Sequence, residues 1–191
     1  MEDITDLVLT HLHFDHCGGT IKYNEKRELV PAFPNATIHT SRQQWEWADN
    51  PNRREQASYL KENLEPINES GKLKLFDHDH ELFPGFYVRL FNGHTDGQVI
   101  PLIKINGRII VYCADFFPSA VHLPASFVVS YDTRPLISLE ERQLFLIEAL
   151  KNDYILFFEH DLYHECCTLM ETDKGPRAKD FFKLNEFFGR A

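Results

Sequence analysis

Residues 10–16 read Thr10-His11-Leu12-His13-Phe14-Asp15-His16, which puts three imidazoles and one carboxylate within six positions. Such groups are costly to bury unless they bind something. The i, i+2, i+4 spacing of His11, His13 and Asp15 suits an extended segment that turns alternate side chains to one side. His16 breaks that alternation and is expected to point elsewhere, so one short loop can feed two metal positions. Imidazole and carboxylate are borderline-to-hard donors, which suit Zn, Fe or Mn rather than Cu(I) or an iron–sulfur cluster. Gly18-Gly19 lets the backbone turn tightly behind them. Three further polar clusters each follow an apolar run: Gly93-His94-Thr95, Ala114-Asp115 and Glu159-His160-Asp161. Sites in α/β sheets gather at the carboxyl ends of strands. The four clusters are therefore expected to converge on one rim.

The elements that must carry them alternate between strand and helix patterns, as in an α/β protein. Strands are expected over 4–10, 36–40, 73–76 and 86–91, with Pro84-Gly85 as the turn between the last two. Ser41 opens a helix, with Gln44 completing a capping box. Residues 52–63 read as a polar helix, followed by Pro66. Residues 99–105 and 108–113 form a hairpin around Asn106-Gly107. Ser138 with Glu141 caps a helix through Leu150. Residues 154–158 and 166–171 are further strands, and Pro176 sits near the start of a last helix ending around Phe188.

The chain has 191 residues, which implies a single domain over 1–191. Twenty basic against 29 acidic side chains give a net charge of −9, which argues against nucleic acid or an anionic membrane as partner. No apolar run is long enough for a membrane span, and Glu2, Asp3 and Asp6 after Met1 do not read as a signal peptide. Cys17, Cys113, Cys166 and Cys167 contain no C-x-x-C pair, so reduced thiols in a cytoplasmic protein are expected.

The string His11-Leu12-His13-Phe14-Asp15-His16, with His94, Asp115 and His160 after it, resembles the ligand signature of the metallo-β-lactamase superfamily of metallohydrolases. Intervals of 78, 21 and 45 residues separate His16, His94, Asp115 and His160, and the last two are close to those of quorum-quenching lactonases. The resemblance implies an αβ/βα sandwich. It implies two divalent ions, Zn first and Fe or Mn next. His11, His13 and His94 would bind one, Asp15, His16 and His160 the other, and Asp115 both. A metal-bridging hydroxide would then cleave an ester, lactone or amide of a small, mostly uncharged substrate. Ions roughly 3.5–4 Å apart lower the pKa of bound water and polarise a carbonyl. Asp15 would also shuttle a proton to the leaving group, and Thr95 and Asp96 are candidate supports for the ligands.

Two departures from the family pattern shape the expectations. Members normally begin tens of residues before this motif, so the N-terminal strands of the first sheet are expected to be missing. Strand edges so exposed would favour a homodimer. Lactonases often carry a Tyr just after the bridging Asp, whereas Phe116, Phe117 and Pro118 follow Asp115 here. His122 is the substitute candidate for a proton donor or oxyanion contact, and Phe14, Phe116 and Phe117 are candidates for an apolar wall. Alternatives are phosphodiester or organophosphate hydrolysis, with Arg42 and Arg134 as the basic residues to hold phosphate, thioester hydrolysis, and a non-catalytic metal-binding fragment. A flavodiiron-type oxidoreductase is disfavoured, because that branch has Glu where this chain has His13. The string Asp77-His78-Asp79-His80-Glu81 reads as a solvated turn, one of Trp45 and Trp47 as core, His39 and His164 as packing or surface residues, and Cys17 as structural.

Overall fold

The structure, a computed structural model, describes residues 1–124 and 126–189. The chain divides into two compact units, Met1–His78 with Asp96–Val99, and Asp79–Thr95 with Ile100–Ala191.

The first unit runs β1 (Asp6–Val8), α1 (Phe14–Cys17), β2 (Ile21–Tyr23), β3 (Leu29–Pro31), β4 (Thr37–Ser41), α2 (Arg42–Asp49), α3 (Lys61–Glu69) and β5 (Leu73–Phe76). Its main sheet is parallel, in the order β1-β4-β5, with Leu7 opposite Ile38 and Ile38 opposite Leu73. Strands β2 and β3 form a separate antiparallel pair. Leu9, Leu12, Cys17, Ile38, Ala48, Tyr59 and Ile67 make the core under this sheet. Burying each large aliphatic side chain contributes about 1.5–3 kcal/mol. The expectation that the first sheet lacks its N-terminal strands is overturned, since β1 to β4 are all in place. Parallel neighbours need a crossover between them. The partners of β1 therefore come from residues 37–41 and, beyond those, 73–76, downstream of the histidines.

Ser41 caps α2 as expected, its Oγ accepting from the Gln44 N–H at 3.0 Å. The same Oγ donates to the Gly97 carbonyl at 2.6 Å. Gly97 has φ +67°, and a Cβ there would lie 2.6 Å from Ser41 Oγ and 2.8 Å from the Gln44 nitrogen. Only glycine fits that approach. The helix expected over 52–63 starts instead at Lys61, after a 3-10 turn at Gln56–Ser58, and Pro66 lies inside it. Asn52 draws the preceding segment into a turn by accepting from the Arg54 and Glu55 N–H groups.

The second unit runs β6 (His80–Phe83), β7 (Phe86–Phe91), β8 (Gln98–Ile105, whose first two residues belong to the first unit), β9 (Arg108–Tyr112), α4 (Pro135–Lys151), β10 (Ile155–Phe157), β11 (Cys166–Met170), β12 (Arg177–Phe182) and α5 (Leu184–Gly189). Its seven-stranded sheet has the order β12-β11-β10-β9-β8-β7-β6. Strands β9 and β10 pair in parallel, Val111 opposite Leu156, so both strands end at the same edge of the sheet. The Asn106-Gly107 hairpin forms as expected, with φ 51° and 77° at the two residues. Helix α4 buries Phe145, Leu146 and Ala149 against a core that includes Phe91, Val111, Phe116 and Phe117.

Three local expectations fail here. Pro84-Gly85 joins β6 to β7, so His80 and Glu81 lie in a strand rather than a solvated turn. Helix α4 begins at Pro135, one turn before Ser138, because proline's fixed φ suits a first helical position. Glu141 is drawn off to the Asn92 and Gly93 N–H groups, at 2.8 and 3.0 Å. The segment after Pro176 is β12, paired to β11, and the last helix starts only at Leu184.

Candidate metal centre

In the first unit the ligand loop leaves β1 and runs extended only as far as His13, which has φ −61° and ψ 148°. The chain then coils into α1, the His13 carbonyl accepting from the His16 and Cys17 N–H groups at 3.0 and 3.1 Å. The expected alternation therefore stops at His13. The helical turn swings His16 back, and its ring centroid lies 3.9 Å from that of His11. The His13 ring is 4.6 Å from the His11 ring, edge-on. His11 is fully buried and His13 nearly so, while Asp15 is 46% exposed with Oδ2 3.5 Å from His16 Nε2.

The backbone of this loop is held from two sides. Gln44, fully buried, accepts from the Leu12 N–H at 3.1 Å and from the Tyr59 hydroxyl at 3.2 Å. Its amide also donates to the Asp96 carbonyl. The Val99 N–H donates to the Thr10 carbonyl at 2.7 Å. Asp96 thus serves as a turn anchor, its carboxylate accepting from Gln43 Nε2 at 3.0 Å.

In the second unit Asp115 is the centre. Ala114 before it has φ 41°, a left-handed conformation that costs a non-glycine residue about 1–2 kcal/mol. The conformation is locked by the Cys113 carbonyl, which accepts from the Phe116 N–H at 2.9 Å, and by the Cys113 N–H, which donates to Phe157 of β10 at 2.9 Å. So placed, the buried Asp115 carboxylate sets Oδ2 3.2 Å from His94 Nε2 and Oδ1 3.0 Å from His160 Nε2. One carboxylate facing two imidazoles through separate oxygens has the form of a bridging ligand.

Two carboxylates that composition and spacing do not reveal hold the histidines from behind. Asp132, fully buried, sits 3.1 Å from His94 Nδ1 and 3.1 Å from Arg142 Nη2. Glu55, also buried, sits 3.2 Å from His13 Nε2. Ligating histidines commonly donate their second nitrogen to such a group. These residues, 38 and 42 positions from His94 and His13, are further candidate supports beside the Thr95 and Asp96 expected from sequence.

His122 closes a 3-10 turn at Ala120–His122, its Nδ1 2.9 Å from Ser119 Oγ. Burial pulls its pKa below the usual histidine value, with Arg142 adding to that and Asp132 and Asp115 opposing it. Phe116 and Phe117 are not an apolar wall. Both are fully buried, with Phe116 stacked 4.0 Å from Phe91. Phe14 is half exposed. Burial pushes the Cys17 thiol up to about 11 and Cys166 and Cys167 up to about 12, which leaves them protonated and poor ligands. Among the described residues the candidate donors are imidazole and carboxylate, which fit borderline-to-hard divalent ions such as Zn, Fe and Mn.

Residues 2–160 match the family model of the metallo-beta-lactamase superfamily. The chain belongs to this superfamily. The match begins at residue 2, so it includes β1, the strand ahead of the histidine motif. The chain is 28% identical over 171 residues to an N-acyl homoserine lactonase of Bacillus sp, covering 86% of the chain and 58% of the relative. A probable metal-dependent hydrolase of known structure from Staphylococcus aureus is 27% identical, with TM-score 0.83 over 95% of this chain and 62% of its own. AidC, a dizinc quorum-quenching lactonase solved with the product N-hexnoyl-L-homoserine, is 25% identical with TM-score 0.79, over 95% of this chain and 66% of its own. The chain thus spans about three fifths of the length of the first two relatives.

Proposed function

We propose that this chain is a metal-dependent hydrolase that opens an ester, lactone or amide of a small, mostly uncharged substrate, working as one metallo-beta-lactamase-like domain. By the family resemblance, His11, His13 and His94 would hold one divalent ion, Asp15, His16 and His160 the other, and Asp115 both. The observation that carries this reading is the Asp115 carboxylate set between His94 and His160. Zinc suits the donor set and is the metal named for AidC.

A pair of such ions supplies a hydroxide near neutral pH and polarises a carbonyl. The protein's own residues orient the ligands, through Glu55 and Asp132, and keep thiols out of the donor set. Asp15, half exposed, is the candidate for carrying a proton to the leaving group. An uncharged substrate is favoured over a phosphoester, because Arg42 is engaged with Asp77 at 2.8 Å and Arg134 with the Asn92 carbonyl at 3.0 Å. The net charge of −9 supports a small molecule rather than nucleic acid. Among the described residues no helix is long and apolar enough to cross a membrane. Free buried cysteines support a cytoplasmic site of action. Exposed Leu136, Leu144 and Ile147 on α4 support a homodimer.

The test is elemental analysis of chain purified without added metal, followed by a screen of lactones and esters. Two equivalents of Zn, Fe or Mn are expected, with hydrolysis lost on chelation and restored on reloading. A folded chain that takes up no metal refutes the reading. We assign His122 to the substrate carbonyl or leaving group as a hydrogen-bond donor, and its lowered pKa keeps it neutral at pH 7. His122→Ala is expected to lower kcat by about 10²-fold. An unchanged kcat removes it from the mechanism.

A further inference from the structure

Glu55 is a carboxylate at 4% exposure in a segment with no strand and no long helix. Such a group is costly to bury unless its oxygens are met by donors. Among the described residues, donors meet both of them. Oε1 accepts from Trp47 Nε1 at 2.9 Å and Asn52 Nδ2 at 3.1 Å. Oε2 shares the single Tyr59 hydroxyl proton with Gln44 Oε1, each at 3.2 Å, and faces His13 Nε2 at 3.2 Å. The Glu55 backbone N–H is itself fixed to Asn52 Oδ1 at 3.1 Å. The side chain is therefore immobilised with one acceptor oxygen aimed at one imidazole nitrogen.

We propose that Glu55 is a positioning residue that fixes the tautomer of His13, placing the ring proton on Nε2 and leaving Nδ1 as the metal-binding atom. The inference rests on the proposed metal centre. A carboxylate only accepts, so the nitrogen facing it must carry the proton. Neutral imidazole has one such proton, and the lone pair then lies on the other nitrogen. Glutamine in place of Glu55 defeats this in either orientation. With its NH2 toward His13 and Tyr59, the ring must accept at Nε2, and its proton moves to Nδ1. With its NH2 toward Trp47 and Asn52, donors face donors and the side chain no longer fits its site.

The experiment uses 15N-labelled full chain and cobalt(II). In metal-free wild type, the His13 ring nitrogens are expected to show the Nε2–H tautomer. Glu55→Gln is expected to shift His13 toward Nδ1–H. It is also expected to weaken cobalt uptake by about 10- to 100-fold and to change the visible absorption of the bound cobalt. Circular dichroism of the metal-free variant should stay native. An Nδ1–H tautomer in the wild type overturns the proposal without any variant. Cobalt affinity and spectrum unchanged in Glu55→Gln also overturn it, while leaving the metal centre standing. A wild type that binds no cobalt overturns both.

Discussion

Asp115→Asn is expected to lower kcat/KM by at least ~10³-fold, a loss of about 4 kcal/mol of transition-state stabilisation. The wild-type carboxylate gives one oxygen to the His94 side and one to the His160 side. An amide keeps the shape but replaces one of those oxygens with an NH2 that cannot ligate. On the proposed reading the variant should hold one ion where the wild type would hold two, and elemental analysis reads that directly. Its fold should survive. The left-handed turn at Ala114 is fixed by backbone bonds from Cys113 and not by the Asp115 side chain. Circular dichroism close to wild type, one equivalent of metal and loss of the proposed hydrolysis together would support a place for Asp115 between the ions. Wild-type turnover in Asp115→Asn would sink the bridging role.

The candidate ligands are legible because their types are expensive to bury. Three imidazoles and a carboxylate in six positions, and a His or Asp after each of three later apolar runs, stand out in the sequence. The hairpin at Asn106-Gly107 and the Ser41 cap were readable for a similar reason, since each is fixed by neighbours in sequence. Long-range partners were not. The strands beside β1 come from across crossovers, and nothing in residues 4–10 says where they lie. Period-two spacing sets Asp15 beside His11 and His13, because it cannot see the helical turn that begins at Phe14. The segment after Pro176 reads as a helix start, yet it becomes a strand because β11 offers it an edge. Glu55 and Asp132 are each one carboxylate among 29 acidic side chains, and only the fold sets them behind His13 and His94.

Asp132→Asn is expected to destabilise the chain by about 3–5 kcal/mol, because it leaves a buried guanidinium without its counter-charge. Arg142 is 1% exposed and its Nη2 lies 3.1 Å from Asp132 Oδ2. Burial lowers the Arg142 pKa, and Asp132 is the largest influence opposing that fall. The guanidinium also lies over the Phe117 ring, 5.7 Å from its centroid, so the charge sits inside the apolar core. For a domain of this size the melting temperature should drop by roughly 6–20 °C. Arg142→Met should cost a similar amount, since Asp132 is then the unpaired charge. The double variant Asp132→Asn with Arg142→Met removes both charges, and it should recover most of the loss. Metal uptake separates the two jobs of Asp132. Asparagine can still accept from His94 Nδ1 through its oxygen, so the double variant should bind metal almost as well as the wild type, provided that orientation is what His94 needs. A double variant that is stable but cannot hold metal would show that the Asp132 charge itself, felt through His94, is part of the site.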